Sequence, residues 1–105
     1  MDKRLNDIAL HHGLDEQLEQ TIEECGELIV AIQDYKRFGK KDDGFETYYL
    51  AKIAEEVVDV KIMTEQLKML IEGFDFDTFE SHQIERELGR MRGELNGERS
   101  ICKNH

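Results

Sequence analysis

Acidic residues recur three positions apart in two short segments of the chain. Glu24 and Glu27 enclose a cysteine and a glycine, and Glu56 and Asp59 enclose two valines. If both segments are helical, each pair presents two carboxylates side by side, because residues three apart lie on the same helix face. Hard divalent cations such as Mg2+ prefer oxygen ligands of this kind. The spacing makes these four acids candidate metal ligands, with a solvated acidic face as the alternative.

The neighbours of these acids are mostly apolar. Residues 28–32 follow Glu27 without a polar side chain, and Glu56 and Asp59 lie within a segment rich in valine and isoleucine. Carboxylates crowded among apolar residues repel one another and lose hydration, which is costly unless a proton or a cation neutralises them. The composition around the four acids therefore favours a bound divalent metal.

The elements that must position these acids are helices. Apolar residues at intervals of three and four predict helices over about 3–12, 15–37, 47–72 and 77–96. Asp15 is the predicted N-cap of the second helix, and Asp77 opens the fourth with Glu80 as a capping box. Two apolar stripes result, formed by Leu14, Leu18, Ile22, Cys25, Ile29 and Ile32 on the second helix and by Ile53, Val57, Val60, Leu67 and Ile71 on the third.

A short polar loop with two glycines separates the second and third helices, so we expect them to pack antiparallel. With the centre of the turn between Lys41 and Asp42, Glu24 is level with Asp59 and Glu27 with Glu56. The four carboxylates then converge at one height. The predicted fold is a single all-α domain over 1–105, an antiparallel helical hairpin with flanking helices that resembles a four-helix bundle.

The amino-acid composition limits the classes of partner that the protein can bind. The formal net charge is −10, which argues against nucleic-acid and membrane surfaces because both are anionic. Hydrophobic residues make up 39% of 105 residues, so the core is thin and we expect a homodimer or homotetramer, assembled through the wide apolar face of the third helix. The longest apolar run, 28–32, is far too short to span a membrane. Cys25 and Cys102 fit reduced thiols, and the expected location is the cytoplasm.

One family resemblance covers roughly residues 17–70. The segment Glu-Glu-Cys-Gly-Glu-Leu at 23–28, followed by Ala31 and Ile32, and the segment Glu-Glu-Val-Val-Asp-Val at 55–60 resemble the paired acidic motifs of MazG-like nucleoside triphosphate pyrophosphohydrolases. The order of the motifs, their helical setting and their level register carry the resemblance. It implies an all-α enzyme that hydrolyses nucleoside or deoxynucleoside triphosphates to the monophosphate and pyrophosphate.

The resemblance also implies roles for particular residues. The metal, Mg2+ with Mn2+ as a substitute, would be held by Glu24, Glu27, Glu56 and Asp59. Glu23 and Glu55 are candidates to complete the metal shell or to accept the proton of the attacking water. Relatives carry basic phosphate ligands on later helices, and the nearest equivalents here are Arg86 and Arg90. No nucleobase pocket follows from the sequence, and packing is the favoured role of the aromatic residues Phe38, Tyr48, Tyr49, Phe74, Phe76 and Phe79.

Two other classes of function remain open at this stage. The chain could be a helical scaffold whose acids are merely solvated. It could also be a non-enzymatic acidic interaction protein that mimics nucleic acid and binds a basic partner through its charge. Metal dependence and hydrolysis separate both alternatives from the enzyme.

Overall fold

The computed structural model describes residues 2–40 and 44–100, the last six of them by their backbone alone. Within those ranges the chain is all-α, as predicted: it forms four α-helices and no strand. They are α1 (Lys3–His12), α2 (Leu14–Asp34), α3 (Glu46–Leu70) and α4 (Phe76–Ser100). The predicted centre of the turn, between Lys41 and Asp42, and Cys102 lie outside the described residues. No described helix combines the length and the apolar character that crossing a membrane requires.

Two of the predicted helix caps are wrong. α2 begins at Leu14 after Gly13, whose φ of 85° ends α1, and Asp15 lies in the first turn of α2 rather than before it. At α4 the cap is Asp75, which accepts hydrogen bonds from the Thr78 backbone N–H at 3.1 Å and from its hydroxyl at 2.7 Å. An N-cap side chain must precede the helix to reach the N–H three residues on. Asp77 is already inside the helix and cannot do so.

The second helix does not continue regularly to residue 37 as predicted. It passes after Asp34 into a π-helical turn, Tyr35–Gly39, in which the Lys40 N–H donates to the Tyr35 carbonyl at 3.1 Å. Gly39 is buried, and a Cβ there would lie 2.9 Å from the Cβ of Tyr49 on α3. The absence of a side chain at Gly39 therefore lets α3 approach the turn closely.

The described chain divides into two compact units, one up to Glu72 and one from Gly73 onward. The first contains α1, α2 and α3. α2 and α3 run antiparallel, so residues later in α2 contact residues earlier in α3. Gln17 hydrogen-bonds Gln66 near one end, and the Tyr35 hydroxyl donates to Glu46 at 3.1 Å near the other. The second unit consists of α4 and the residues leading into it, and a single domain over 1–105 stays a prediction.

The centre of the first unit is small and partly polar. Among the described residues its buried apolar side chains are Ala9, Ala31 and Met63, and Gln17 and Gln66 are its buried polar pair. On α2 the face towards α3 therefore runs through Gln17 and Ala31 rather than through the apolar stripe predicted from spacing. Two members of that stripe, at positions 22 and 29, are 68% and 56% exposed.

Candidate functional site

Three of the four predicted metal ligands come together between α2 and α3. Carboxylate oxygens of Glu24, Glu27 and Glu56, one from each residue, all lie within 4.8 Å of one another. Glu24 and Glu27 are one turn apart on α2, and Glu56 faces them from α3. Glu24 and Glu56 are half-buried and Glu27 is exposed. The cluster thus has two carboxylates at the helix contact and one at its edge.

The charges in this cluster oppose one another. The negative charge of Glu24 raises the pKa of Glu27 above its usual value, and Glu56 adds to the effect. Partial desolvation, a hydrogen bond with Glu24 and the charge of Glu23 raise it further. A hydrogen bond between two carboxyl groups requires a proton on one of them. The site therefore favours an added positive charge, either a proton or a cation.

Unpaired oxygens show where such a cation would fit. Glu24 Oε2 accepts a hydrogen bond from the Gln20 amide at 3.1 Å, but the buried Oε1 of the same residue has no hydrogen-bond partner among the described residues. The buried Oε1 of Glu56 also lacks one. Buried polar atoms in folded proteins are normally paired, and an unpaired one is costly. Two unpaired carboxylate oxygens on facing helices match the hard-oxygen donor set of Mg2+ or Mn2+.

The remaining acids predicted for the site lie at different positions around it. Asp59 is half-buried one turn further along α3 and is not part of the group within 4.8 Å, so its role as a ligand stays a prediction. Glu23 is exposed and forms part of the cavity wall described below. Glu55 is exposed and pairs with Lys52 at 3.5 Å.

A cavity of about 710 Å³ adjoins the cluster. This volume lies within the range of small-molecule sites, about 300 to 1,000 Å³. Glu27 and Glu56 form the acidic part of its wall, next to the cluster. The described lining residues belong to α2, the π-helical turn and α3. The lining residues are Glu23, Gly26, Glu27, Val30, Ala31, Asp34, Phe38, Tyr48, Tyr49, Lys52 and Glu56.

Aromatic side chains form the part of the wall that the sequence did not predict. The rings of Phe38 and Tyr49 lie 6.2 Å apart at 31°, and those of Tyr48 and Tyr49 lie 5.1 Å apart at 84°. Tyr48 and Phe38 are 59% and 41% exposed. Their spacing is not helical, because Phe38 belongs to the π-helical turn, so no periodic pattern in the sequence relates it to the tyrosines.

Among the described residues that line the cavity, Lys52 is the one with a cationic side chain. It lies one turn before Glu56 on the same face of α3, which is a signal present in the sequence. The predicted phosphate ligands Arg86 and Arg90 belong to α4 in the second unit. There Arg86 donates to Gln83 at 3.0 Å and Arg90 pairs with Glu87 at 3.0 Å. Their role in phosphate binding stays a prediction.

Gly26 lies between two of the candidate ligands and lines the cavity. A Cβ built on Gly26 would have no neighbouring protein atom within 4 Å. A close approach by another part of the described chain therefore does not account for this glycine. The space that its missing side chain leaves belongs to the cavity.

Comparison with known proteins gives no relative for this chain. No protein-family model matches it, and no curated protein or solved structure does so either. The resemblance to MazG-like enzymes therefore stays a prediction that rests on the two acidic segments.

Proposed function

We propose that this protein hydrolyses nucleoside or deoxynucleoside triphosphates to the monophosphate and pyrophosphate, using Mg2+ or Mn2+. The observation that carries the proposal is the pair of buried, unpartnered oxygens of Glu24 and Glu56, which lies with Glu27 beside a cavity of about 710 Å³. An acidic site binds a triphosphate only if a cation accompanies it. The cluster and the cavity together support a metal-dependent site for a small anionic ligand.

The three clustered glutamates would hold the metal, with Asp59 as a fourth ligand. A bound Mg2+ neutralises the charge of a triphosphate, orients it for in-line attack at the α-phosphorus and lowers the pKa of the attacking water. Carboxylate oxygens of Glu24 and Glu56 lie within 4.8 Å of one another across the two helices, which supports their acting on the same ion. Glu27 at the edge of the cluster also faces the cavity, where the phosphates would lie.

Residues around the cluster support the remaining steps. Glu23 is exposed on the cavity wall and is our candidate to accept a proton from the attacking water. Lys52, on the opposite helix, is available to offset the charge of the phosphates. Its pairing with Glu55 is exposed and long, so a phosphate can displace it at little cost. Glu55 is therefore better suited to orienting Lys52 than to proton transfer.

The aromatic part of the wall suits the nucleoside. Tyr48 and Phe38 are large side chains that are only about half covered. Planar bases stack on such rings with a gain of about 1–3 kcal/mol per base. We therefore assign Phe38, Tyr48 and Tyr49 to the base or sugar end of the substrate, in addition to their packing with one another.

Three further parts of the proposal concern the whole protein. The helices form a hairpin with flanking helices in a bundle-like arrangement, the chain works as a homodimer or homotetramer, and it acts in the cytoplasm on the nucleotide pool. The small core, with Ala9, Ala31 and Met63 as its buried apolar side chains among the described residues, supports self-association.

Pyrophosphate release from a broad nucleotide panel tests the proposal. We expect activity with Mg2+ or Mn2+, none with a chelator, and loss of activity in Glu27→Gln and Glu56→Gln at unchanged helicity. Glu19→Gln, an exposed acid of α2 outside the cavity, is the matched control and should stay active. A folded protein that hydrolyses no member of the panel with metal present would exclude the proposed activity.

The net charge of −10 supports a second candidate function, that of an acidic interaction protein that mimics nucleic acid. That protein would bind a basic partner with steep salt dependence and would not hydrolyse nucleotides. In such a protein Glu56→Gln and Glu19→Gln would weaken binding of the basic partner equally, since each removes one negative charge. Unequal effects of these two variants therefore favour the enzyme.

A further inference from the structure

A second surface of the first unit carries apolar side chains that remain exposed. Five residues of α2, here called the α2 stripe, alternate at spacings of four, three, four and three: Leu18, Ile22, Cys25, Ile29 and Ile32. This spacing is the heptad seam of helices that pair with another helix. Their exposure runs from 39% at Ile32 to 68% at Ile22, and Cys25 is a free, exposed thiol.

The α2 stripe and the cavity lie on opposite sides of the line along which α2 meets α3. That line passes through Gln17, Glu24 and Ala31. Leu18, Cys25 and Ile32 each come one residue after one of these positions, which places them about 100° around the helix from the line. Glu23 and Val30 each precede such a position by one residue and line the cavity. The cavity residue nearest the stripe is Gly26, one turn from Ile22, so a partner bound to the stripe would border the cavity at Gly26 and leave the side formed by Glu23 and Val30 open.

The stripe extends along most of the length of α2. Its outer positions, Leu18 and Ile32, are about 21 Å apart along the helix at 1.5 Å per residue. A continuous exposed apolar surface rimmed by charges marks an interaction site in a small protein. The small core of the first unit favours such an interaction, since burying the stripe would enlarge its apolar area removed from water.

The sequence of the stripe points to a second copy of α2 as its partner. Cys25 is its centre: Leu18 and Ile32 are each seven residues away, and Ile22 and Ile29 are three and four residues away. A twofold axis at Cys25 with antiparallel helices brings Leu18 of one copy level with Ile32 of the other. A twofold contact uses the same patch on both copies, so a patch that is symmetric about its own centre suits it.

Charge at the two ends of α2 selects the antiparallel arrangement. Asp15 and Glu16 occupy the first turn; at the other end Asp34 closes the helix and Lys36 and Arg37 follow it, so two cations there outnumber one acid. In the antiparallel pair the acidic end of one helix lies beside the basic end of the other, and opposed helix dipoles add to this attraction. A parallel pair would place like charges together at both ends.

We propose that the α2 stripe is the surface at which two copies of this chain pair, antiparallel about a twofold axis at Cys25. The partner of the stripe is thus a second copy of the chain itself. This interface differs from the face of the third helix expected from the sequence. It does not depend on the proposed hydrolysis, because none of the three clustered glutamates belongs to the stripe.

Sedimentation of the wild-type chain and two matched variants gives the first test. Ile22→Glu should weaken the dimer at least about a hundredfold, because each dimer would bury two unpaired carboxylates. Leu10→Glu on α1 is the control, since Leu10 has the same exposure of 68% and lies outside the stripe. A wild-type chain that stays monomeric at millimolar concentration would overturn the proposal, as would equal effects of the two variants.

Cysteine cross-linking gives a second test that does not require a weakened variant to fold. In a Cys102→Ser chain, a short thiol cross-linker should join Cys25 to Cys25 and give a covalent dimer. In a chain with both native cysteines replaced by serine, Leu18→Cys and Ile32→Cys chains should cross-link only when mixed. Cross-linking of either chain with itself would show a parallel pair, and a monomer with a shielded Cys25 would show that another part of the same chain covers the stripe. Both results would contradict the proposal.

Discussion

Glu27 is the acid whose titration reports on the cluster. Neighbouring charges, Glu24 first, raise its pKa in the folded chain above the unfolded value. Folding then favours the protonated form, so the stabilising contribution is complete below the unfolded pKa and is lost as pH rises through the folded pKa. The metal-free protein is therefore expected to carry electrostatic repulsion at neutral pH, and a cation relieves it.

Thermal unfolding with a chelator, measured across pH 3–8, tests this expectation. The melting temperature of wild type should fall relative to Glu27→Gln as pH rises through the folded pKa of Glu27, and Mg2+ should restore it at neutral pH. Glu19→Gln should follow wild type. A Glu27→Gln variant that is less stable than wild type at neutral pH without metal would show that the cluster carries no net repulsion.

Gln17 and Gln66 form the buried polar contact between α2 and α3. Their side chains are 4% and 2% exposed and hydrogen-bond one another. Gln66→Ala should lower the free energy of unfolding by about 1–3 kcal/mol, because it leaves the Gln17 amide buried without a partner. Replacing both glutamines with leucine should lower the free energy of unfolding by less than the sum of the losses caused by the two single leucine substitutions. Urea denaturation of the four variants measures this, and strict additivity would mean that the two side chains do not interact.

Among the elements, the π-helical turn depends on one glycine. A Cβ at Gly39 would come within 2.8 Å of the Tyr35 ring and 2.9 Å of the Tyr49 Cβ. Gly39→Ala should therefore destabilise the fold by about 1–3 kcal/mol through overpacking and shift the aromatic wall of the cavity.

Gly26→Ala is the control for that change, since nothing within 4 Å would meet its added Cβ. It should stabilise α2 by up to about 1 kcal/mol through helix propensity, while the added methyl group extends into the cavity. Thermal unfolding separates the two glycines by the sign of the effect. A neutral or stabilising Gly39→Ala would contradict the close packing of the turn against α3.

The start of α4 offers a prediction about capping. Hydrogen bonds from Thr78 hold the pKa of Asp75 below its usual value. The stabilisation from this contact is present above the unfolded pKa and is lost as pH falls through the folded pKa. Asp75→Ala should reduce helicity in α4 and speed amide exchange at Thr78, and Asp77→Asn should do neither. Equal protection of Thr78 in both variants would mean that Asp75 is not the cap.

Sequence spacing predicted the elements better than it predicted their faces. The bounds of all four helices follow from apolar periodicity to within a few residues, because each helix has a stripe at intervals of three and four. The stripe of α2 nevertheless lies away from α3, since the periodicity marks an apolar face without saying what covers it. The π-helical turn could not be predicted because Gly39 packs against Tyr49, which belongs to a different helix, and apolar periodicity within one helix carries no information about such a contact.

At the scale of the whole molecule, a small core and a large exposed apolar surface occur together. The candidate site could be predicted from the sequence because two acidic pairs on helices joined by a short loop meet if the helices are antiparallel. Three of the acids, Glu24, Glu27 and Glu56, do come together. The cavity wall could not be predicted, because it combines Phe38 from an irregular turn with tyrosines from another helix.

The most direct test of the central claim is hydrolysis in water enriched in oxygen-18, with Mg2+ and the best nucleotide of the panel. Attack at the α-phosphorus predicts one labelled oxygen in the nucleoside monophosphate and unlabelled pyrophosphate, as seen by mass spectrometry. Glu56→Gln should give neither product and Glu19→Gln should give both. Label in inorganic phosphate, or full activity in Glu56→Gln, would contradict the account.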